Sequence, residues 1–369
     1  MAGSNFKGRV GLQQRVLPAY RALFFDHLAS RCEGGLGIFA GFARPSEMIQ
    51  SAEELEHARW VRAQNLHLLS GSAYLCLQWG LLRWLSAWDP QVLILEANPR
   101  YLFSPLAARW MHNRGRVVIG WGLGAPPLRG RFAALRRWNR RRFLRHLDAL
   151  VAYSSLGAEQ YAAAGIARDR IRVAVNAASP RPKMLPARPA IGDRPLRLIF
   201  VGRLQARKRL DVLLEACRQL ESSPELWIVG AGPAEASLKR LAADRYPQAV
   251  FWGAKHGADL TRLLEQADVF VLPGSGGLAV QQAMAHGLPV IVAEGDGTQG
   301  DLVTPENGWL IPPGQLHALL DALRQAESQR GQLRKMGLSS HHLVLTKANI
   351  ETMADVFIDV MQSGTTAGE

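Results

Sequence analysis

The chain has 369 residues, 48% of them hydrophobic and 20% charged, with a formal net charge of +13. That length suits two domains of ordinary size, and the composition excludes a disordered, collagenous or disulfide-framework protein. The charge is segregated: residues 1–190 carry 27 Lys and Arg against 11 Asp and Glu, and the remainder carries 17 against 20. Segregation of this kind points to an anionic partner for the first half.

No apolar run is long and clean enough to span a bilayer; the nearest, residues 71–88, is interrupted by Gln78 and Arg83. The first residues lack the apolar core of a secretory signal, so a cytoplasmic location is expected. Cys32, Cys76 and Cys217 have no metal-ligand spacing and read as reduced core thiols. The histidines are mostly spread singly, and none pairs at metal-ligand spacing, so no metal site is expected.

In the first half, strands are predicted over 9–12, 37–42, 92–95, 117–119 and 149–152, with helical segments between them. In open α/β sheets, ligands bind beyond the carboxyl ends of the strands. After the strand at 92–95 stand Glu96, Asn98, Pro99 and Arg100. An acid, an amide and a cation there can receive an acceptor hydroxyl, with Glu96 as the candidate base. A plain Asn-Pro turn with a salt bridge is the equal alternative.

Residues 128–147 hold eight arginines with Trp138 and two phenylalanines. As a helix, Phe132, Leu135, Phe143 and Leu147 form one narrow apolar stripe, and most arginines take the rest of the circumference. Arg136, Arg137, Trp138, Arg140 and Arg141 are therefore expected to face an anionic membrane surface. A helix merely packed by its stripe ranks second and a nucleic-acid contact third.

Five prolines within residues 176–195 predict an extended linker and a domain boundary. Beyond it, apolar runs at 196–201, 225–229, 250–252, 269–272 and 290–293 alternate with helical segments. Unalternating apolar runs suit parallel strands covered on both faces, in a doubly wound α/β domain. The first run ends in Gly202-Arg203, with Lys208 shortly after. A guanidinium fork and a mobile ammonium at that place suit a diphosphate whose charge grows in the transition state. The run at 269–272 ends in Pro273-Gly274-Ser275-Gly276-Gly277-Leu278-Ala279, which opens onto a helix. Backbone N–H groups at such a helix start bind phosphate.

Gly202-Arg203 with Lys208, the Gly230-Ala231-Gly232-Pro233 turn, Phe251-Trp252-Gly253 and Ala283-Met284-Ala285-His286-Gly287-Leu288-Pro289-Val290 together resemble the donor-binding domain of glycosyltransferase family 4. Residues 14–21 (Gln-Arg-Val-Leu-Pro-Ala-Tyr-Arg), 152–155 (Ala-Tyr-Ser-Ser) and Asn176 resemble its N-terminal domain less specifically. The resemblance implies the GT-B fold, two Rossmann-like doubly wound α/β domains facing each other across a cleft. The domains would be an acceptor-binding domain over 1–185, a nucleotide-sugar-binding domain over 186–345, and a C-terminal helix and tail over 346–369 that packs back on the first.

The same resemblance implies a retaining, metal-independent enzyme. It would use a UDP- or GDP-linked sugar as co-substrate, with no other cofactor. The acceptor would be lipid-linked or a saccharide, and the enzyme would sit peripherally at the inner membrane face. Arg203 and Lys208 would hold the donor diphosphate. Gly202, Gly253, Gly274, Ser275, Gly276, Gly277, Leu278, Ala279 and Gln282 would form the rest of the donor site. Arg15, Tyr20, Arg21, Asn98, Arg100, Trp121 and Gly122 would line the acceptor side.

The chain departs from the family at two places. The family pairs two glutamates eight positions apart, one on the donor sugar and one on the ribose; Gly274 and Gln282 stand there. A Gln amide still bonds a ribose diol, whereas Gly274 offers only backbone. The family's cleft histidine is missing from Gly120-Trp121-Gly122. These losses keep a second reading open: an inactive glycosyltransferase-like binding protein in an envelope-polysaccharide assembly. A nucleic-acid-binding α/β protein is a weaker third.

Overall fold

The computed structural model describes residues 4–44, 47 and 49–366. The chain forms two compact units, Met1–Pro180 with Ile350–Glu369, and Arg181–Asn349. The last three residues of the expected C-terminal tail lie outside the described residues.

In the first unit the strands are β1 (Val10–Val16), β2 (Leu36–Gly41), β3 (Arg59–Arg62), β4 (Gln64–Leu68), β5 (Leu75–Trp79), β6 (Val92–Glu96), β7 (Val117–Gly122), β8 (Ala149–Ala152) and β9 (Ile171–Val173). Seven of them form a parallel sheet in the order β3-β2-β1-β6-β7-β8-β9, while β4 and β5 pair as a separate antiparallel ribbon. The helices are α1 (Ala22–Ser30), α2 (Leu81–Trp88), α3 (Ser104–His112), α4 (Ala133–Leu144) and α5 (Ser155–Ala163).

Alternation along the strands builds two cores. Ile94, Ile119, Trp121 and Val151 point to one face, where Phe24, Phe25 and Leu28 of α1 meet Phe357 and Met361 of the C-terminal helix, Ile350–Thr366. Leu93, Leu95, Val118 and Leu150 point to the other, against Leu85, Met111, Phe143 and Tyr161. Successive strand side chains face opposite ways, so a sheet apolar on both sides must be covered on both.

The five strands predicted for this unit are present, with edges moved by up to four residues. β3, β4, β5 and β9 carry no clean apolar run and were not predicted. The apolar stretch 71–88 is not one element: Gly80, at φ +89°, turns the chain from β5 into α2. The arginine-rich segment also departs from expectation. Phe132 and Leu135 are 64% and 61% exposed, while Phe143, Leu144 and Leu147 are buried. The stripe packs only at its C-terminal end, because Phe132 precedes the helix with non-helical backbone.

The second unit holds β10 (Arg197–Val201), β11 (Glu225–Val229), β12 (Val250–Gly253), β13 (Val269–Leu272), β14 (Val290–Ala293) and β15 (Gly308–Ile311). They form one parallel sheet in the order β12-β11-β10-β13-β14-β15. The helices are α6 (Leu210–Gln219), α7 (Glu235–Arg245), α8 (Gly257–Gln266), α9 (Leu278–Ala285), α10 (Gln299–Leu302), α11 (Leu316–Ser328) and α12 (Leu333–Thr346). The proline-rich segment has no regular structure, but from Arg181 onward it is docked rather than loose. Arg188 donates to the His286 carbonyl at 2.6 Å, and Arg194 pairs at 2.7 Å with the fully buried Asp268 carboxylate. Among the described residues, no helix is long and apolar enough to cross a membrane. The three cysteines are buried and free.

Phe357 is fully buried, with its ring 5.1 Å from Trp121 and 5.6 Å from Phe24. Phe357→Ala is expected to destabilise the first unit by roughly 3–5 kcal/mol, read from urea unfolding followed by tryptophan fluorescence. A loss under about 1 kcal/mol would show that the C-terminal helix does not complete this core.

Candidate active site

In the second unit, three loops at the carboxyl ends of β10, β11 and β13 pack backbone against backbone. Gly202 N–H donates to the Val229 carbonyl and Leu204 N–H to Ala231, each at 3.0 Å. A Cβ at Gly230 would lie 1.9 Å from the Gly202 carbonyl oxygen, and one at Gly232 would lie 2.4 Å from that of Leu204. Only glycine permits that approach. The Arg203 side chain is exposed on this turn.

The chain then makes a 3-10 turn, Ala206–Lys208, and passes through left-handed Arg209 into α6. This turn sits on the Gly-rich loop after β13. Ser275 N–H donates to the Arg207 carbonyl at 3.1 Å. A Cβ at Gly274 would fall 2.3 Å from that carbonyl oxygen and 2.5 Å from the carbonyl carbon of Lys208. Position 274 therefore has no room for a side chain. Lys208 Nζ reaches across the loop, 2.0 Å from where a Gly276 Cβ would stand. Burial, helped by neighbouring Arg207, lowers the Lys208 ammonium to about 8.

Gly277 caps α9, and Ser275, Gly276, Leu278, Ala279 and Gln282 are half-buried around it. Helix starts leave backbone N–H groups without intrahelical partners, so this one, beside a lysine, offers donors and positive charge that suit an oxyanion. Gly253, at φ +68°, has open space at its α-carbon, and its carbonyl accepts from Gly230 N–H.

Two contributors escaped the sequence reading. Arg207 extends toward the same loop, with Nη1 3.5 Å from Ser275 Oγ. Gln299, 1% exposed, holds the loop by donating to the Gly276 carbonyl at 3.0 Å, and its Oε1 has no partner among the described residues. Arg207 could have been found as a second cation beside Lys208. Gln299, 23 residues beyond Gly276, leaves no signal in sequence.

The first unit has its own cavity, about 620 Å³, beyond the carboxyl ends of β6, β7 and β8. Glu96, Asn98, Arg100, Trp121 and Gly122 all line it, with Tyr101 and Tyr153. Burial raises the Glu96 carboxyl pKa, opposed by the Tyr101 hydroxyl and the Arg15 backbone N–H, which donates at 3.2 Å. A carboxyl tuned upward and facing a cavity suits proton transfer. Asn98 Oδ1 accepts from Arg100 N–H at 3.2 Å, so the turn is formed around a side chain that still lines the cavity.

Other expected acceptor residues sit elsewhere. Arg15 is paired with Glu47 at 2.8 Å, and the carboxyl of Glu47 is held at about 2: burial opposes this, but Arg15 and Arg44 outweigh it. Arg21 is 4% exposed, its guanidinium 4.4 Å from the Trp121 ring and 5.1 Å from that of Tyr153, behind the cavity wall. Tyr20 is half exposed beside it. Of the arginines expected to face a membrane, Arg136 and Arg140 turn to the cavity instead, while Arg137, Trp138 and Arg141 face outward. The reason is helical spacing: positions 136, 140 and 143 share the face of α4 that Phe143 buries.

Residues 195–329 match the family of glycosyl transferases group 1, and residues 38–177 match the glycosyl transferase 4-like domain. A GDP-mannose-dependent alpha-mannosyltransferase of Mycobacterium tuberculosis is 31% identical over 73% of this chain and 72% of its own length. The chain belongs to the group 1 glycosyltransferases. A second relative of this glycosyltransferase, the amylovoran biosynthesis glycosyltransferase AmsK of Erwinia amylovora, is 31% identical over 55% of this chain. The chain spans about half that relative's length, at 53%. The solved structure of Anabaena HepE in complex with UDP superposes with a TM-score of 0.71 at 14% identity, over 96% of this chain and 99% of that one. The fold is thus GT-B, with two parallel-sheet α/β domains.

Lys208 is charged below about 8 and neutral above it. A neutral amine no longer attracts a diphosphate, so a nucleoside diphosphate held by Lys208 is expected to bind less tightly as pH rises from 7 to 9. Calorimetric titration across that range should show the fall in wild type and a flat profile in Lys208→Ala. Parallel profiles would remove Lys208 from the site.

Proposed function

We propose that this glycosyltransferase moves a sugar from a nucleotide diphosphate sugar to a membrane-associated acceptor, lipid-linked or polysaccharide, with retention and without a divalent metal. The observation that carries the reading is the meeting of Lys208 with the Gly274–Gly277 loop at the start of α9. A half-buried ammonium, helix-start N–H groups and the nearby Arg203 and Arg207 suit a diphosphate that gains charge as it leaves. In this mechanism the bond from the anomeric carbon to the phosphate oxygen breaks and one to the acceptor oxygen forms on the same face. The acceptor proton passes to the departing phosphate, with Glu96 as the alternative base. The relatives named above are consistent with it: one is called GDP-mannose-dependent, and HepE was solved with UDP.

Gly274 and Gln282 in place of the glutamates favour the alternative of a binder without turnover. Against it, the Arg207–Lys208 backbone fills the space a glutamate would need, so the loop is rebuilt rather than stripped. Lys208→Ala and Arg203→Ala are each expected to lower transfer by about a hundredfold, roughly 3 kcal/mol of transition-state stabilisation, in assays run in EDTA with unchanged melting temperatures. Wild-type protein that binds donor sugars but neither transfers nor hydrolyses them would establish the binder.

We place the enzyme peripherally on the inner membrane face. The outward face of α4 supports this, with Arg137, Arg141, Arg142 and Arg145 around a half-exposed Trp138. Each arginine near an anionic surface contributes about 1 kcal/mol, screened within roughly 8 Å at physiological salt. Replacing Arg137, Arg141 and Arg145 by Gln should weaken sedimentation with anionic vesicles while nucleotide binding persists. Unchanged sedimentation would remove α4 from the contact.

A further inference from the structure

The β4–β5 ribbon has its amphipathicity inverted. Cross-strand partners share a face, so Asn65 with Gln78 and His67 with Cys76 form one side, and Gln64 with Trp79, Leu66 with Leu77 and Leu68 with Leu75 form the other. The polar side faces the protein. Gln78, 2% exposed, donates to the Gln14 carbonyl and to Asn65 Oδ1, each at 3.0 Å, and Asn65 donates to the Arg15 carbonyl at 2.7 Å. The apolar side faces out: Leu66 is 56% exposed and Trp79 70%, with Leu69 at the turn 68% exposed. An antiparallel ribbon on a protein surface ordinarily buries its apolar side, and a contiguous exposed apolar patch marks an interaction surface.

The charge around the patch says what covers it. From Arg59 to Leu147 the sequence carries fifteen arginines and two carboxylates, Asp89 and Glu96, and Glu47, outside that stretch, is paired with Arg15 and with the Arg44 that lies over Tyr74. Asp89 is paired with Arg116 at 2.6 Å and Arg9 at 3.2 Å, and Glu96 lines the cavity. Arg62 and Arg83 share a groove with Trp79 and make no ion pair among the described residues. A second copy of the chain would bring these same arginines against themselves. An anionic bilayer offers the opposite charge and an apolar interior together, and tryptophan and leucine flanked by arginine suit its interface.

We propose that the outward face of the β4–β5 ribbon inserts into the interfacial layer of an anionic membrane. Tyr74 and Leu75, at the ribbon's far end, form part of the wall of the Glu96 cavity. Insertion therefore sets the cavity mouth at the lipid surface, where a lipid-linked acceptor presents its polar head. The inference rests on a membrane-borne acceptor, and it is separable from sugar transfer because vesicle binding needs neither donor nor acceptor.

The test uses the full chain with vesicles of phosphatidylglycerol and phosphatidylcholine, with and without bromine on the acyl chains. Wild-type fluorescence should be quenched by the brominated lipid. Trp79→Leu, which keeps the face apolar, should bind as well but lose the part of that quenching that Trp79 contributes, leaving the part due to Trp138. Leu66→Ser with Trp79→Ser, both at exposed positions, should weaken partitioning on the order of tenfold without changing the melting temperature. The α4 arginine variant should weaken binding yet retain quenching of whatever remains bound. Equal quenching in wild type and Trp79→Leu, or undiminished partitioning of the double serine variant, overturns the proposal. So does a wild-type dimer in sedimentation velocity that the serine variant dissolves while vesicles bind neither protein.

Discussion

Trp121 is the side chain on which the first unit depends. It is 1% exposed and sits among Phe24, Phe25, Tyr153 and Phe357, with the Arg21 guanidinium over its ring. Aromatic rings of this size contribute most of a core's buried area, and a cation on a desolvated ring adds an electrostatic attraction. Phe357 belongs to the last helix, so the core of the first unit closes only when the chain's final segment has docked. The same tryptophan forms part of the cavity wall beside Glu96. Position 121 is thus given to packing. The cavity's polar chemistry falls to Glu96, Tyr101 and the arginines of α4.

The second unit is governed by close approach. Gly230, Gly232 and Gly274 let three loops touch through their backbones, and Lys208 crosses beside Gly276. A site assembled this way is rigid, because its groups are held by main-chain hydrogen bonds rather than by long side chains. It also bars any side chain from position 274, where a Cβ would collide with the carbonyl of Arg207. Arg207 adds a second cation beside Lys208, aimed at Ser275.

Charge in this protein is divided by direction as well as by unit. On α4, one set of arginines turns inward to the cavity and another outward to solvent, four residues apart along each face. The ribbon adds an apolar surface, with Arg62 and Arg83 in a groove beside Trp79. A basic surface broken by exposed leucine and tryptophan differs from one charged only for solubility, since the apolar groups gain nothing from water.

The sequence by itself determined the α/β class, the parallel strands from 196 onward and the loop that opens α9. Those features are written in contiguous residues: apolar runs, glycine turns and one helix cap. It also determined the charge asymmetry and the glycosyltransferase family, which the Gly202-to-Val290 motifs carry. Only the tertiary structure decided which arginines of 128–147 face the cavity, that Arg21 and Trp121 belong to the core, and that Gln299 anchors the loop at Gly276. Burial and approach depend on what a distant segment places opposite, as Phe357 does for Trp121. The inverted ribbon was hidden for the same reason: alternation shows that β4 and β5 have a polar and an apolar side, but not which side the protein covers.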